Sequence, residues 1–65
     1  NAVAPGLINT ELVKQLDNKA VDKMVGQSSL GRLGTPDEIA ELVVFLSSDS
    51  SRFIDGQVIR IDGGM

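Results

Sequence analysis

Residues 31–49 read GRLGTPDEIAELVVFLSSD, and the fold is decided at their centre. Thr35 offers a hydroxyl to the free N–H groups of a helix start. Pro36 occupies the first helical position, where its missing N–H costs nothing. Asp37 complements the helix dipole, and Glu38 stands where a capping box needs a carboxylate. A helix from about Thr35 to Ser47 is predicted. Ile39, Leu42, Val43 and Leu46 recur at i, i+3, i+4 and i+7, the spacing of a core-facing stripe. Ala40, Val44 and Phe45 carry apolar surface well beyond that stripe. Such a helix packs on its own sheet with one side and on something else, a second subunit, with the other. The plainer alternative is a wide core face.

Downstream, the loop residues SSDSS (47–51) precede a bend over Arg52–Gly56, from which Phe53 and Ile54 are expected to return to the core. QVIRID (57–62) then reads as a strand, its apolar run of Val58, Ile59 and Ile61 broken only by Arg60 and ended by Asp62-Gly63-Gly64. Upstream, Asn1–Ala4 has the small apolar residues of a buried strand end. Pro5 is expected to stop it, and Gly6 to take a backbone angle other residues resist. Thr10 can cap a short helix from Glu11, with Leu12, Val13 and Leu16 on one face. Asp17 or Asn18 can cap a second, striped by Ala20, Val21, Met24 and Val25 and weakened at its end by Gly26. Two apolar strands far apart in sequence and joined through helices imply parallel neighbours in a doubly wound α/β sheet.

Sixty-five residues form one domain at most, near the lower limit for a chain with no disulfide, metal or partner to steady it. The 42% apolar content is that of a packed α/β core, so cover from neighbouring material is expected. A net charge of −3 without a basic run disfavours nucleic-acid backbones and anionic membranes as partners. A helix-turn-helix reading of GRLGTPDEIAELV lacks the phosphate-binding footprint it would need. There is no cysteine and no histidine. That removes disulfides, thiol nucleophiles, the commonest zinc ligands and the usual general base, and is compatible with a reducing cytoplasm. No 18-residue apolar run and no leader is visible.

No catalytic residue can be assigned within the chain. Tyr is also absent, and Ser without a partner base is a poor nucleophile. Lys14, Lys19 and Lys23 read as a solvated face. Asp37, Glu38 and Glu41 read as capping and dipole compensation rather than a metal site. Gly31 with Gly34 frames one tight turn and Gly63 with Gly64 another; neither pair makes a phosphate-binding glycine motif. What remains is PGLINT (5–10), a kinked backbone leaving a strand end, where open α/β sheets bind ligands, followed by a hydroxyl at a helix start. By itself the motif fits a ligand loop or a plain strand-to-helix connection.

Taken together, NAVAPGLINTEL (1–12) and GRLGTPDEIAELVVFLSSDSSRFIDGQVIRIDGGM (31–65) closely resemble the carboxy-terminal portion of short-chain dehydrogenase/reductases. The likeness is greatest to bacterial 3-oxoacyl-acyl-carrier-protein reductases and related alcohol or glucose dehydrogenases, and it spans the whole chain. The resemblance implies the end of the sixth parallel strand of a Rossmann fold, substrate-side helices, a subunit-interface helix and the last strand, residues 1–65 being a C-terminal fragment of a single domain. It implies an NAD or NADP cofactor and hydride transfer to or from a carbonyl or secondary alcohol, 3-oxoacyl-thioester reduction included. Pro5 and Gly6 would shape the loop under the nicotinamide, the Ile8 backbone would hold the carboxamide, and Thr10 would bond the carboxamide or a phosphate.

Leu7–Gln27 would border a small-molecule or acyl-thioester substrate. The Thr35–Ser47 helix and the Gln57–Asp62 strand would pair subunits of a cytoplasmic homotetramer. The family's glycine-rich motif, its serine and its Tyr-x-x-x-Lys pair would lie in an amino-terminal portion upstream of Asn1. A self-association module without a cofactor role is the alternative.

Overall fold

Strand β1 (Ala2–Pro5) and strand β2 (Val58–Ile61) lie side by side in parallel, with Ala2 opposite Val58, Val3 opposite Ile59, Ala4 opposite Arg60 and Pro5 opposite Ile61. Between them run helix α1 (Glu11–Lys14), helix α2 (Asn18–Gly26), helix α3 (Pro36–Leu46) and a 3-10 turn at Asp49–Ser51. The computed structural model describes all 65 residues.

The helix starts follow the local chemistry. The Thr10 hydroxyl accepts from Val13 N–H, the Asp17 carboxylate from Lys19 N–H, and Thr35 forms the full reciprocal capping box with Glu38. At the far end of α3, the buried Ser51 hydroxyl bonds the carbonyls of Leu46 (3.0 Å) and Ser48 (3.1 Å), so the helix exit is tied into the following turn.

Pro5 joins β1 instead of stopping it. Ala2 N–H donates to Gln57 O (2.8 Å) and Gly6 N–H to Ile61 O (3.0 Å). In a parallel ladder alternate residues donate to the same neighbour, so the nitrogen of Pro5 faces away from β2 and no ladder bond is lost. Register is braced from Asn1, whose side chain donates to Ile54 O (3.1 Å) and accepts from Gln57 N–H (2.9 Å).

The sheet face bearing Val3, Ile59 and Ile61 carries α3. Ile39, Leu42 and Leu46 of that helix are half-buried, and Ile39 shares a small cavity with Ile61. Val43 also faces this side, lining a shallow cavity with Val3 and Leu46 while staying 44% exposed; Val44, beyond the stripe, is 69% exposed and Phe45 43%. Phe53 corrects a second expectation: it does not return to the core but stands free in solvent.

No apolar side chain is fully buried. The accessible surface is 4891 Å², against about 4,000 Å² for a folded monomer of this mass. The radius of gyration is 13.5 Å, against about 11 Å for a compact domain of this length. Both differences describe an open arrangement that leaves apolar surface uncovered within these residues.

Candidate functional site

The segment from Pro5 to Thr10 leaves the carboxyl end of β1 and crosses to the turn before α3. Gly6 is required there for space. A Cβ on it would lie 2.6 Å from the Asp62 Cβ and 2.8 Å from the Asp62 Cα. Its φ is not positive, so the unusual backbone angle expected from the sequence is replaced by a close approach between two chain segments.

The next residues are pinned to Gly34. Gly34 N–H donates to Leu7 O (3.0 Å), and Asn9 N–H donates to Gly34 O (2.8 Å), which makes a one-residue parallel bridge between Ile8 and Gly34. In this pattern the partners of Gly34 are the groups on either side of Ile8. The N–H and C=O of Ile8 itself point to the opposite side, and neither has a hydrogen-bond partner in the chain. The half-buried Ile8 side chain lines a cavity of about 100 Å³ with Leu7, Leu30, Ile39 and Ile61. An anchored side chain and a bridged neighbour therefore present one donor and one acceptor, side by side and fixed in direction. An amide group matches that pair.

Thr10 follows immediately. Its hydroxyl oxygen accepts from Val13 N–H at 3.4 Å, a long cap that leaves the O–H free to donate elsewhere. Pro5, Gly6, Ile8 and Thr10 thus follow one another away from the carboxyl end of β1. Pro5 and Gly6 set the path, and Ile8 and Thr10 carry the available polar groups.

Three contributors escape sequence reasoning. Gly34 supplies the bridge, and a Cβ there would meet the tip of the Ile8 side chain, Cδ1, at 2.8 Å. Asp62 packs behind Gly6, and its carboxylate accepts from Gly64 N–H (2.9 Å) and pairs with Arg60 at 2.6 Å. The Gly64 N–H and, after it, the Arg60 side chain hold the Asp62 carboxyl below its ordinary range. Arg32 grips Glu38 with both arms, each at 2.8 Å. That guanidinium, helped by Thr35 N–H, takes the Glu38 carboxyl from 4.5 down to about 2. The only advance signal was the glycine spacing before the capping box.

The described residues hold no cluster of acidic side chains with metal-ligand geometry, and no helix is long and apolar enough to cross a membrane.

Two parallel strands joined through helices, with a loop leaving the carboxyl end of the first, are a segment of the Rossmann-like, doubly wound class of fold. Comparison with known proteins agrees. The sequence model of the family described as Enoyl-(Acyl carrier protein) reductase matches residues 1–65, and the chain belongs to the short-chain dehydrogenase/reductase family. It is 48% identical over its whole length to 26% of the 3-oxoacyl-acyl-carrier-protein reductase of Thermotoga maritima. It is also 48% identical, over 98% of its length, to 27% of the acetoacetyl-CoA reductase of Shinella zoogloeoides. The crystal structure of the 3-oxoacyl-acyl-carrier-protein reductase from Brucella melitensis superposes with a TM-score of 0.95 at 34% identity, covering 98% of this chain and 24% of that one. The two strands and three helices are therefore a Rossmann-like segment, spanning about a quarter of the length of the relatives it matches.

Proposed function

We propose that this chain is the nicotinamide-facing and subunit-facing part of an NAD(P)-dependent oxidoreductase that reduces 3-oxoacyl thioesters, or runs the reverse oxidation, in the cytoplasm. The observation that carries the reading is the unpartnered N–H and C=O of Ile8 on a loop held by Gly34. A primary carboxamide such as that of nicotinamide offers its C=O and its syn N–H to the same side, the complementary acceptor and donor. The residues present fit that group. Ile8 would take the carboxamide through its backbone, Thr10 would donate its hydroxyl to the carboxamide or to a phosphate oxygen, and Pro5 and Gly6 would hold the loop beneath the ring. When bound, the nicotinamide supplies or accepts the hydride.

Within this chain no side chain is suited to move the accompanying proton. There is no His, Cys or Tyr, so acid–base work falls to an amino-terminal Rossmann portion of the same enzyme. The names of the relatives support the thioester substrate. Residues Leu7–Gln27, which include α1 and α2, would border it.

Exposed apolar side chains support the subunit role. Val44 and Phe45 on α3 and Val58 on β2 are exposed in this chain, and a second copy meeting the Thr35–Ser47 helix and the Gln57–Asp62 strand would cover them in a homotetramer.

The test is made on the full-length protein, by following loss of reduced-nicotinamide absorbance with an acetoacetyl thioester. Turnover is expected with NADH or NADPH, and none from the 65-residue chain alone. A folded full-length protein that binds neither dinucleotide would overturn the reading.

A further inference from the structure

Two consecutive peptide units connect the Arg32–Glu38 ion pair to the Pro5–Thr10 loop. The first joins Leu33 to Gly34. Its carbonyl accepts from Arg32 Nη1 (3.0 Å), and its N–H donates to Leu7 O (3.0 Å). The second joins Gly34 to Thr35. Its carbonyl accepts from Asn9 N–H (2.8 Å), and its N–H donates to Glu38 Oε1 (2.9 Å). Each unit is thus held at one end by the ion pair and at the other by the loop. Glu38 Oε1 and Arg32 Nη1 also bond each other at 2.8 Å, while the second arms, Nη2 and Oε2, close the fork at 2.8 Å. A peptide unit is planar, so fixing its carbonyl fixes the direction of its N–H.

We propose that Arg32 and Glu38 are positioning residues which, through the peptides on either side of Gly34, set the direction in which Ile8 presents its N–H and C=O to a carboxamide. The proposal rests on the nicotinamide reading of Ile8. The pair lines the same cavity as Ile8 and would act on it through these two peptides. It is also half exposed, with side chains 52% and 39% accessible, and exposed ion pairs contribute little to stability. Its bidentate geometry fixes orientation more than it adds cohesion.

Two variants of the full-length enzyme separate these roles. Glu38→Gln keeps an oxygen for Thr35 N–H, and hence the cap, but sets an amide N–H against the second arm of Arg32. Arg32→Lys keeps the charge and loses the fork. The probes are the reduced dinucleotide that the enzyme turns over, its 3-acetylpyridine counterpart, which lacks the carboxamide NH2, and the same dinucleotide without its nicotinamide ring. Dissociation constants and unfolding midpoints are measured for each protein.

The unsubstituted enzyme should prefer carboxamide to acetyl by about fivefold, the affinity equivalent of one hydrogen bond. In both variants that preference should fall toward parity, while affinity for the ring-less dinucleotide and the unfolding midpoint stay near their starting values. If the starting enzyme discriminates and the variants keep the same preference, the positioning role is wrong and the Ile8 reading survives. If affinity for the ring-less dinucleotide and the unfolding midpoint fall together with the preference, the pair is merely structural and the proposal is overturned. If the starting enzyme shows no preference, the Ile8 reading fails and the proposal fails with it.

Discussion

Replacing Gly6 by alanine in the full-length enzyme tests whether the loop is set by a close approach. The new Cβ would sit 2.6 Å from the Asp62 Cβ, and ordinary contact begins near 3.4 Å, so the two segments must separate by about 0.8 Å. The obstructing atoms include the Asp62 Cα at 2.8 Å, which no rotamer change can remove. Gly6 N–H lies 3.0 Å from Ile61 O; stretched by that amount it passes beyond the range of about 3.2 Å for such bonds. Overpacking of about 2 kcal/mol and one lost hydrogen bond of about 1 kcal/mol give a destabilisation of about 3 kcal/mol. With the loop holding the nicotinamide as proposed, a displacement of nearly 1 Å should lose about a hundredfold in kcat/KM. Urea unfolding and steady-state reductase kinetics read the two effects. Gly26→Ala is the control, because nothing lies within 4 Å of a Cβ there and its φ is not positive; it should stabilise by about 0.5 kcal/mol. Gly6→Ala with an unchanged midpoint and an unchanged kcat/KM would refute the close-approach account.

Thr35→Ala removes the hydroxyl that accepts from Glu38 N–H and should cost about 1 kcal/mol in urea unfolding of the full-length protein. Glu38 has its carboxyl lowered to about 2 in the folded chain, so the small stability this solvent-screened pair contributes is present above the ordinary value of 4.5 and is lost as pH falls from there toward 2. Asp62, also lowered, acts in the same direction. Unfolding midpoints measured between pH 6 and pH 2 should fall less steeply for Glu38→Gln than for the unsubstituted protein. Val44→Asp with Phe45→Glu places charge on side chains that are exposed in this chain but would be covered by a second copy. Sedimentation of the full-length double variant should show smaller species, and unchanged association would count against the subunit contact.

Much of the fold was legible because its signals are local. Thr35, Pro36 and Glu38 lie within four residues of one another, and each satisfies a group that any helix start leaves open. The same holds for Thr10 and Asp17. The two strands could be read from apolar runs and their parallel relation from the helices between them. Phe53 shows where this stops. Its apolar character does not reveal whether a covering segment lies within these residues, and none does.

The site divides in the same way. The sequence alone located the turn after the first strand and, through family resemblance, pointed to Pro5, Gly6, Ile8 and Thr10. Only the tertiary structure decided which backbone groups remain open. Ile8 and Gly34 are 26 positions apart, and Asp62 is 56 positions from Gly6. No periodicity encodes which peptides meet across such distances. Hydrogen-bond vacancy and van der Waals crowding belong to pairs of segments, so they become determinate only once the chain has brought those segments together.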